Sequence, residues 1–204
     1  MVIRRAARVV GLAGAAVAAG VFVSGGFGRR ADAEAFRALN LDSGPAADRL
    51  STGITELGSI WASIGAAAVL AAGGRRRAAA KGLGAASVAW LAGQGLKRVF
   101  LRPRPHVSHG DGSDGVNGQA DVRLLIEPPH STSWPSSHPA VLLAFVTVAG
   151  RELGLSRAAR AGLTGLAAAV GVSRTHVGVH YPGDVVGGLL LGRAVADAWS
   201  RDGR

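Results

Sequence analysis

The 204-residue chain has no cysteine. That excludes a disulfide framework, a thiolate zinc site, a cysteine-ligated iron–sulfur cluster and a cysteine nucleophile. Charge is scarce as well: Asp, Glu, Lys and Arg make up 18% of residues, against about one quarter in soluble domains. With 48% hydrophobic residues and a mean hydropathy of +0.26, the chain is no candidate for disorder and a poor one for a soluble globule. Acidic residues are the rarer sign, 13 against 23 Lys and Arg, which leaves a net charge of +10. Such a charge suits nucleic acid or an anionic membrane surface. The apolar runs between the basic clusters decide for the membrane bilayer, with no nucleic-acid partner. Alanine dominates those runs and glycine numbers 31, which suits helices whose backbones approach closely in lipid.

Six apolar segments predict an all-α, integral-membrane six-helix bundle in a single domain, 1–204. Helices are expected at about 9–28, 57–74, 82–96, 139–150, 161–177 and 185–199, with an outer loop over 97–137. The first two reach the ~20 residues that cross ~30 Å of hydrocarbon. Ala- and Gly-rich runs lack the alternation of barrel strands. The first segment has a second reading: Arg4, Arg5 and Arg8 precede an apolar run, and Ala31-Asp32-Ala33 resembles a cleavage site. The run is long for a signal peptide, which favours a retained helix. With both termini cytoplasmic, 13 of the 23 Lys and Arg fall on inside segments, the direction of the positive-inside rule. Lys97, Arg98, Arg102 and Arg104 instead crowd the outer end of the third helix, and basic residues there call for a function.

Segment 31–53 carries Phe36, Leu39, Leu41 and Leu50 among charges and reads as a short interfacial helix on the outer surface. Within the outer loop, 109–118 reads as turn. Its Asp111, Asp114 and Asn117 lack the spacing and the glutamate of a calcium loop, and His106, His109 and His130 read as solvated loop residues. His176 reads as a packing or loop-bonding histidine, and Arg193 as a flanking charge. Gly188-x3-Gly192 suits close helix packing within or between chains, and the oligomeric state is not legible. The fourth and fifth segments hold only twelve residues each between flanking charges, about 18 Å of helix. That shortness predicts a site recessed below the outer headgroup plane.

Three clusters sit at the expected outer ends of helices three to six. They are Lys97 with Arg104-Pro105, then Pro135-Ser136-Ser137-His138, then Ser173-Arg174 with His180 and Asp184. Singly they are ordinary: a snorkelling lysine, a helix cap, a flanking arginine. Jointly they supply three cations, two histidines, an acid and serines, a set suited to phosphate. Arg offers a planar fork to phosphate oxygens and Lys a compact charge. Fixed cations stabilise the charge on a phosphoryl group in transfer. One imidazole can attack phosphorus while the other protonates the leaving oxygen, and the attacking ring needs a third group to fix its tautomer. Asp184, four residues after His180, is a candidate for that group and equally for a helix cap.

The three clusters resemble the signature of the type 2 phosphatidic acid phosphatase superfamily, which includes vanadium haloperoxidases: K-x6-RP, PSGH and SR-x5-H-x3-D. The first and third parts match in full; in the second, Ser137 stands where the pattern has Gly. The resemblance implies that His180 attacks phosphorus to form a phosphohistidine, that Asp184 orients His180, and that His138 protonates the leaving group and then activates water. Lys97, Arg104 and Arg174 would hold the phosphate oxygens, assisted by Ser136 and the Ser137 backbone N–H. It implies no metal ion and no cofactor, and a lipid phosphate as substrate: phosphatidic acid, phosphatidylglycerol phosphate, or a polyprenyl phosphate or diphosphate. The implied place is the plasma membrane, multi-pass, with the active site facing the outside or periplasm; the Ala/Arg/Gly bias points to a GC-rich bacterial genome. Two alternatives stand beside it, a vanadate-dependent haloperoxidase-like enzyme and a non-catalytic lipid-phosphate binder.

Overall fold

Caps and small residues, rather than flanking charges, set where the helices of this chain stop and how closely they pack. In the computed structural model, residues 2–108 and 122–199 are described. His109, Asp111, Asp114 and Asn117, read above as part of a turn, lie outside them. Nine helices occur among the described residues: α1 (Val2–Ser24), α2 (Gly26–Leu39), α3 (Pro45–Glu56), α4 (Ile60–Ala72), α5 (Arg76–Val99), α6 (Pro105–Ser108), α7 (Ser137–Glu152), α8 (Arg157–His176) and α9 (Pro182–Ala198). The six expected segments correspond to α1, α4, α5, α7, α8 and α9, with three further helices between them.

Two expectations change. The first segment ends at Ser24, four residues early, because Gly25 interrupts it and caps a new helix, α2. The 31–53 stretch is divided between α2 and α3 at Gly44, whose φ of +85° favours a residue without a Cβ. The helix lengths are also greater than the charge-to-charge counts. α8 has 20 residues and α5 has 24, about 30 and 36 Å at 1.5 Å per residue. Lys and Arg are good helix formers, so the helices run straight through Lys81, Lys97, Arg160 and Arg174. α8 starts where the Ser156 hydroxyl accepts from Ala159 N–H at 3.1 Å, and α4 where Ser59 accepts from Ala62 at 3.0 Å. The twelve-residue argument for a recessed site therefore does not hold for α8. Ile3–Ser24 is long and apolar enough by itself to cross a membrane; α3 and α4 pass the same test as a pair bent by 66°.

α7 is the central helix, buried along most of its length and packed against α5, α8 and α9. α1 lies along α9. Gly188 and Gly192 let α9 touch α7 backbone to backbone: an added Cβ would collide with the carbonyl oxygens of Ser136 and Ala140 respectively. The small-residue pair thus works within the chain. At the far end of α9, Asp197 gathers Arg8 and Arg193 at 3.0 Å each and also Arg151, while Arg5 caps the carbonyls of Asp197 and Ala198 at 2.6 and 2.7 Å. Arg193, read as a flanking charge, is part of this knot, which ties α1 and α7 to α9.

Candidate active site

At the opposite end of the bundle four helix ends meet. Lys97 leaves the last turn of α5 and Arg104 the irregular link after it. Ser137 and His138 open α7, Arg174 sits in the last turn of α8, and His180 lies in the loop before α9. All six line one cavity of about 250 Å³. Pockets that enclose a whole drug-sized ligand run ~300–1,000 Å³, so this one suits a headgroup with the rest of a lipid left outside. Its lining also takes in the α3–α4 bend and Trp61 and Trp90, both exposed rather than packed in the core.

The geometry around His180 fixes its tautomer. Nε2 lies 3.2 Å from Arg104 Nη1. Guanidinium nitrogens only donate, so Nε2 accepts and carries the lone pair. Nδ1 therefore holds the proton and donates it to Asp184 Oδ2 at 3.3 Å. Burial, reinforced by the charges of Arg104 and Lys97 and opposed by the Asp184 bond, pushes the His180 pKa well below the usual imidazole range. The ring is neutral at pH 7, with its lone pair on the side of the cations. Arg104 is itself held by further acceptors, among them Ser131 O at 2.6 Å, Val179 O at 2.7 Å and Ser131 Oγ at 3.1 Å. Burial lowers its pKa to about 10, which leaves it charged at neutral pH.

Asp184 is fully enclosed and answers both of its sequence readings. As N3 of α9 its Oδ2 accepts the Tyr181 N–H at 2.9 Å, closing a capping arrangement. The same oxygen takes His180 Nδ1 and the Ser133 hydroxyl, and Oδ1 takes Arg102 Nη1 at 2.6 Å. Arg174 donates to Thr55 Oγ1 at 3.1 Å. Its Nε, and the hydroxyls of Ser136 and Ser137, are buried with no partner among the described residues. The Ser136 backbone N–H is already spent on the Asp184 carbonyl at 3.0 Å. Lys97 Nζ lies 3.4 Å from Ser131 Oγ. The side chain of Ser137, where the pattern has Gly, is taken up by α5: a Cβ on Gly93 would sit 3.1 Å from Ser137 Oγ.

Several residues here escaped the sequence reading. The sequence offers Arg102 only as an unexplained charge and Asp32 only within a cleavage-like triplet, and Ser133, Ser131 and Thr55 carry no signal there. His176 is no part of the cavity lining; its Nε2 meets Asp48 Oδ1 of α3 at 3.1 Å. His130 is exposed, as a loop residue would be, whereas His106 is half-buried with Nδ1 enclosed, so it is not simply solvated. Among the described residues no group of three or more His, Asp or Glu is arranged to hold a metal ion.

Comparison with known proteins adds to this geometry. The family profile described as the PAP2 superfamily matches residues 78–202. No curated protein matches the chain. Among solved structures, a transmembrane PAP2-type phosphatidylglycerolphosphate phosphatase from Bacillus subtilis is similar over 93% of this chain and 92% of its own, at 23% identity and a TM-score of 0.75. LpxE from Aquifex aeolicus is similar over 80% of this chain and 90% of its own, at 28% identity and a TM-score of 0.66.

Proposed function

The chain belongs to the PAP2 superfamily, and from that premise we propose that it is an integral-membrane phosphatase that removes phosphate from a lipid phosphate monoester or diphosphate. One observation carries the reading: a neutral His180 turns its Nε2 lone pair toward Arg104 in a cavity that Lys97, Arg174 and His138 also line. A phosphate drawn to those cations places its phosphorus beside a nucleophile already in the right tautomer.

In the first step His180 Nε2 forms a bond to phosphorus and the phosphorus–oxygen bond to the lipid breaks. His138 gives a proton to the departing oxygen, and the charge of the bound phosphate is what makes a protonated His138 stable beside three cations. The phosphorylated ring is cationic, and Asp184 stabilises it through Nδ1–H. In the second step His138 takes a proton from water, the water oxygen bonds to phosphorus, and the phosphorus–nitrogen bond breaks. Inorganic phosphate leaves and Nε2 regains its lone pair. Lys97, Arg104 and Arg174 hold the equatorial oxygens throughout, where charge accumulates. No step calls for a metal ion.

The membrane setting follows from the first helix and the cavity edge. α1 is apolar over Ile3–Ser24 and mostly exposed. The Arg5–Arg8–Arg151–Asp197 knot lies thirteen residues along α9 from Asp184, about 20 Å away. Basic residues at that end suit the cytoplasmic leaflet; on this reading both termini lie inside and the cavity opens at the outer face. A lipid then enters sideways past Trp61 and Trp90 while its tail stays in hydrocarbon. Tail burial concentrates substrate at about 0.8 kcal/mol per CH₂ without helping the chemical step. Candidate substrates are phosphatidic acid, phosphatidylglycerol phosphate and polyprenyl phosphates or diphosphates.

The test is phosphate release from that panel by detergent-purified protein, with and without EDTA. Release by the wild type, unaffected by chelation and abolished in His180→Ala, is expected. An inert wild type, or equal activity in His180→Ala, overturns the reading.

A further inference from the structure

We propose that Arg102 and Asp32 form a clamp that fixes the position and effective charge of Asp184, and through it the reactivity of His180. The inference rests on the phosphatase reading above and extends it to two residues that the three-part signature does not specify.

Arg102 is buried between two carboxylates. Nη1 donates to Asp184 Oδ1 at 2.6 Å and Nη2 to Asp32 Oδ2 at 2.8 Å. Asp32 then reaches past the guanidinium: its other oxygen accepts the Gly183 N–H at 2.7 Å. Asp32 thus holds both the cation that grips Asp184 and the backbone one residue before Asp184. Glycine is needed at 183 for this approach, since a Cβ there would lie 2.6 Å from Asp32 Oδ2. The guanidinium also stacks over the Tyr181 ring at 4.2 Å, and Phe36 of α2 meets that ring edge-on at 5.4 Å. α2 therefore seats Asp32 through a second contact. Neither Arg102 nor Asp32 belongs to the described lining of the cavity, so both act through Asp184 and are positioning residues.

The charge arrangement gives each partner a distinct task. Asp184 has to stabilise the positive charge that grows on His180 as Nε2 bonds to phosphorus. An unshared guanidinium at Oδ1 would neutralise Asp184 and compete with the imidazolium for it. Asp32 divides Arg102 between two carboxylates. The result is a carboxylate locked in place by a strong charge-assisted bond that still keeps negative charge for His180. Asp32 lies outside residues 78–202, so the N-terminal part of the chain completes a site whose signature lies wholly in the family-matched part. Cleavage after Ala33 would remove it.

The groups facing His180 are Asp184 of α9, Lys97 of α5, Arg104, His138 of α7 and Arg174 of α8, which itself faces Glu56 of α3. Against that fixed set the two substitutions change the local charge in opposite senses. Arg102→Met removes a cation, favours cationic His180, and moves the acid limb of the pH–rate profile to higher pH. Asp32→Asn removes an anion and moves the limb to lower pH. A role confined to folding moves neither.

The experiment uses full-length protein in detergent micelles carrying phosphatidylglycerol phosphate and phosphatidic acid. It compares wild type, His180→Ala, Asp32→Asn, Arg102→Met, Arg102→Lys and the Asp32→Asn/Arg102→Met double variant. Turnover is expressed per burst-active site, so that a loss of folded protein lowers the burst amplitude and not the rate. A lost hydrogen bond to a charged group corresponds to roughly 10- to 100-fold. We expect kcat to fall about 100-fold in Arg102→Met and about 10-fold in Asp32→Asn, at nearly constant KM, with partial recovery in Arg102→Lys. The double variant should be no slower than Arg102→Met alone. Because Asp32→Asn is isosteric, it carries the test even where Arg102→Met fails to fold. Wild-type kcat and an unmoved acid limb in Asp32→Asn overturn the clamp alone. A wild type inert on both lipids overturns the phosphatase reading and takes the clamp with it.

Discussion

Replacing Ser137 by Gly writes the superfamily's own pattern into this chain, and the structure sets what should follow. Ser137 Oγ is buried, lines the cavity and has no hydrogen-bond partner among the described residues. An unsatisfied buried hydroxyl costs about 1–3 kcal/mol. That cost is tolerable if an oxygen of the substrate phosphate completes the bond. Removing the hydroxyl should then leave the unliganded protein at least as stable, with an unchanged or raised Tm for Ser137→Ala. In the same variant kcat/KM should fall about 10-fold, the lower end for a hydrogen bond to a charged group. Ser137→Gly should behave alike, with a few tenths of a kcal/mol of helix propensity lost in the first turn of α7. The opposing wall gives a steric control. Gly93→Ala places a methyl 3.1 Å from Ser137 Oγ. A hydroxyl can rotate away, so the cost sits near the bottom of the ~1–3 kcal/mol range for overpacking, and Ser137→Gly should erase it. The assay is phosphate release from mixed micelles, with orthovanadate competition as an independent measure of anion affinity. If Ser137→Gly matches or exceeds the wild type in both, the hydroxyl makes no contact with phosphate and merely fills the groove beside Gly93.

Three further outcomes are expected. Thr55→Val keeps the shape beside Arg174 but removes the acceptor at 3.1 Å; KM for lipid phosphate should rise about 10-fold, and an unchanged KM would mean that Thr55 does not aim the guanidinium. Asp197→Asn leaves Arg8, Arg151 and Arg193 without their shared anion; because those arginines are partly solvated, stability should drop by about 1–3 kcal/mol while kcat per folded molecule stays constant, measured by thermal unfolding alongside turnover. Arg104, with its pKa lowered to about 10, binds anions only while protonated. Orthovanadate affinity should therefore weaken as pH rises through about 10, while the free protein, relieved of a buried charge, gains stability between that pH and the ordinary arginine range. A flat affinity up to pH 11 would remove Arg104 from the anion site.

The parts of the site legible in the sequence are those proposed to meet the phosphate, because phosphate chemistry restricts such groups to a few residue types at fixed intervals. Lys97, Arg104, His138, Arg174 and His180 could be grouped before any fold was known, and the structure brings them to one cavity. The parts that were not legible act on other residues. Asp32 lies on the buried face of α2 with Gly28 and Phe36, a stripe at i, i+4 and i+8. In a helix read by polarity alone, a charged residue falls on the wet face, and 31–53 was accordingly placed on the membrane surface. Only the partner, Arg102, seventy residues away, makes that buried position tolerable. Helix ends failed for a different reason. Flanking charges do not bound these helices, since Lys and Arg extend a helix readily; the boundaries are Gly25, where α1 gives way to α2, and the N-caps Ser59, Ser156 and Tyr181.

The interval between His180 and Asp184 shows why such spacings survive as motifs. α9 begins at Pro182, which needs no N–H partner and sets φ for a first helical turn. Three residues past the cap Tyr181, a carboxylate naturally folds back to the cap N–H, as Asp184 does at 2.9 Å. That ordinary capping geometry puts its oxygens next to residue 180, still outside the helix, where Nδ1 of an imidazole can meet them. The cap and the orientation of His180 are therefore one arrangement. An Asp one position later would leave the cap unmet, and one position earlier would face away from His180. Arg102 then takes the other carboxylate oxygen at 2.6 Å, so that both oxygens of Asp184 are bonded and the carboxylate cannot turn without breaking the cap.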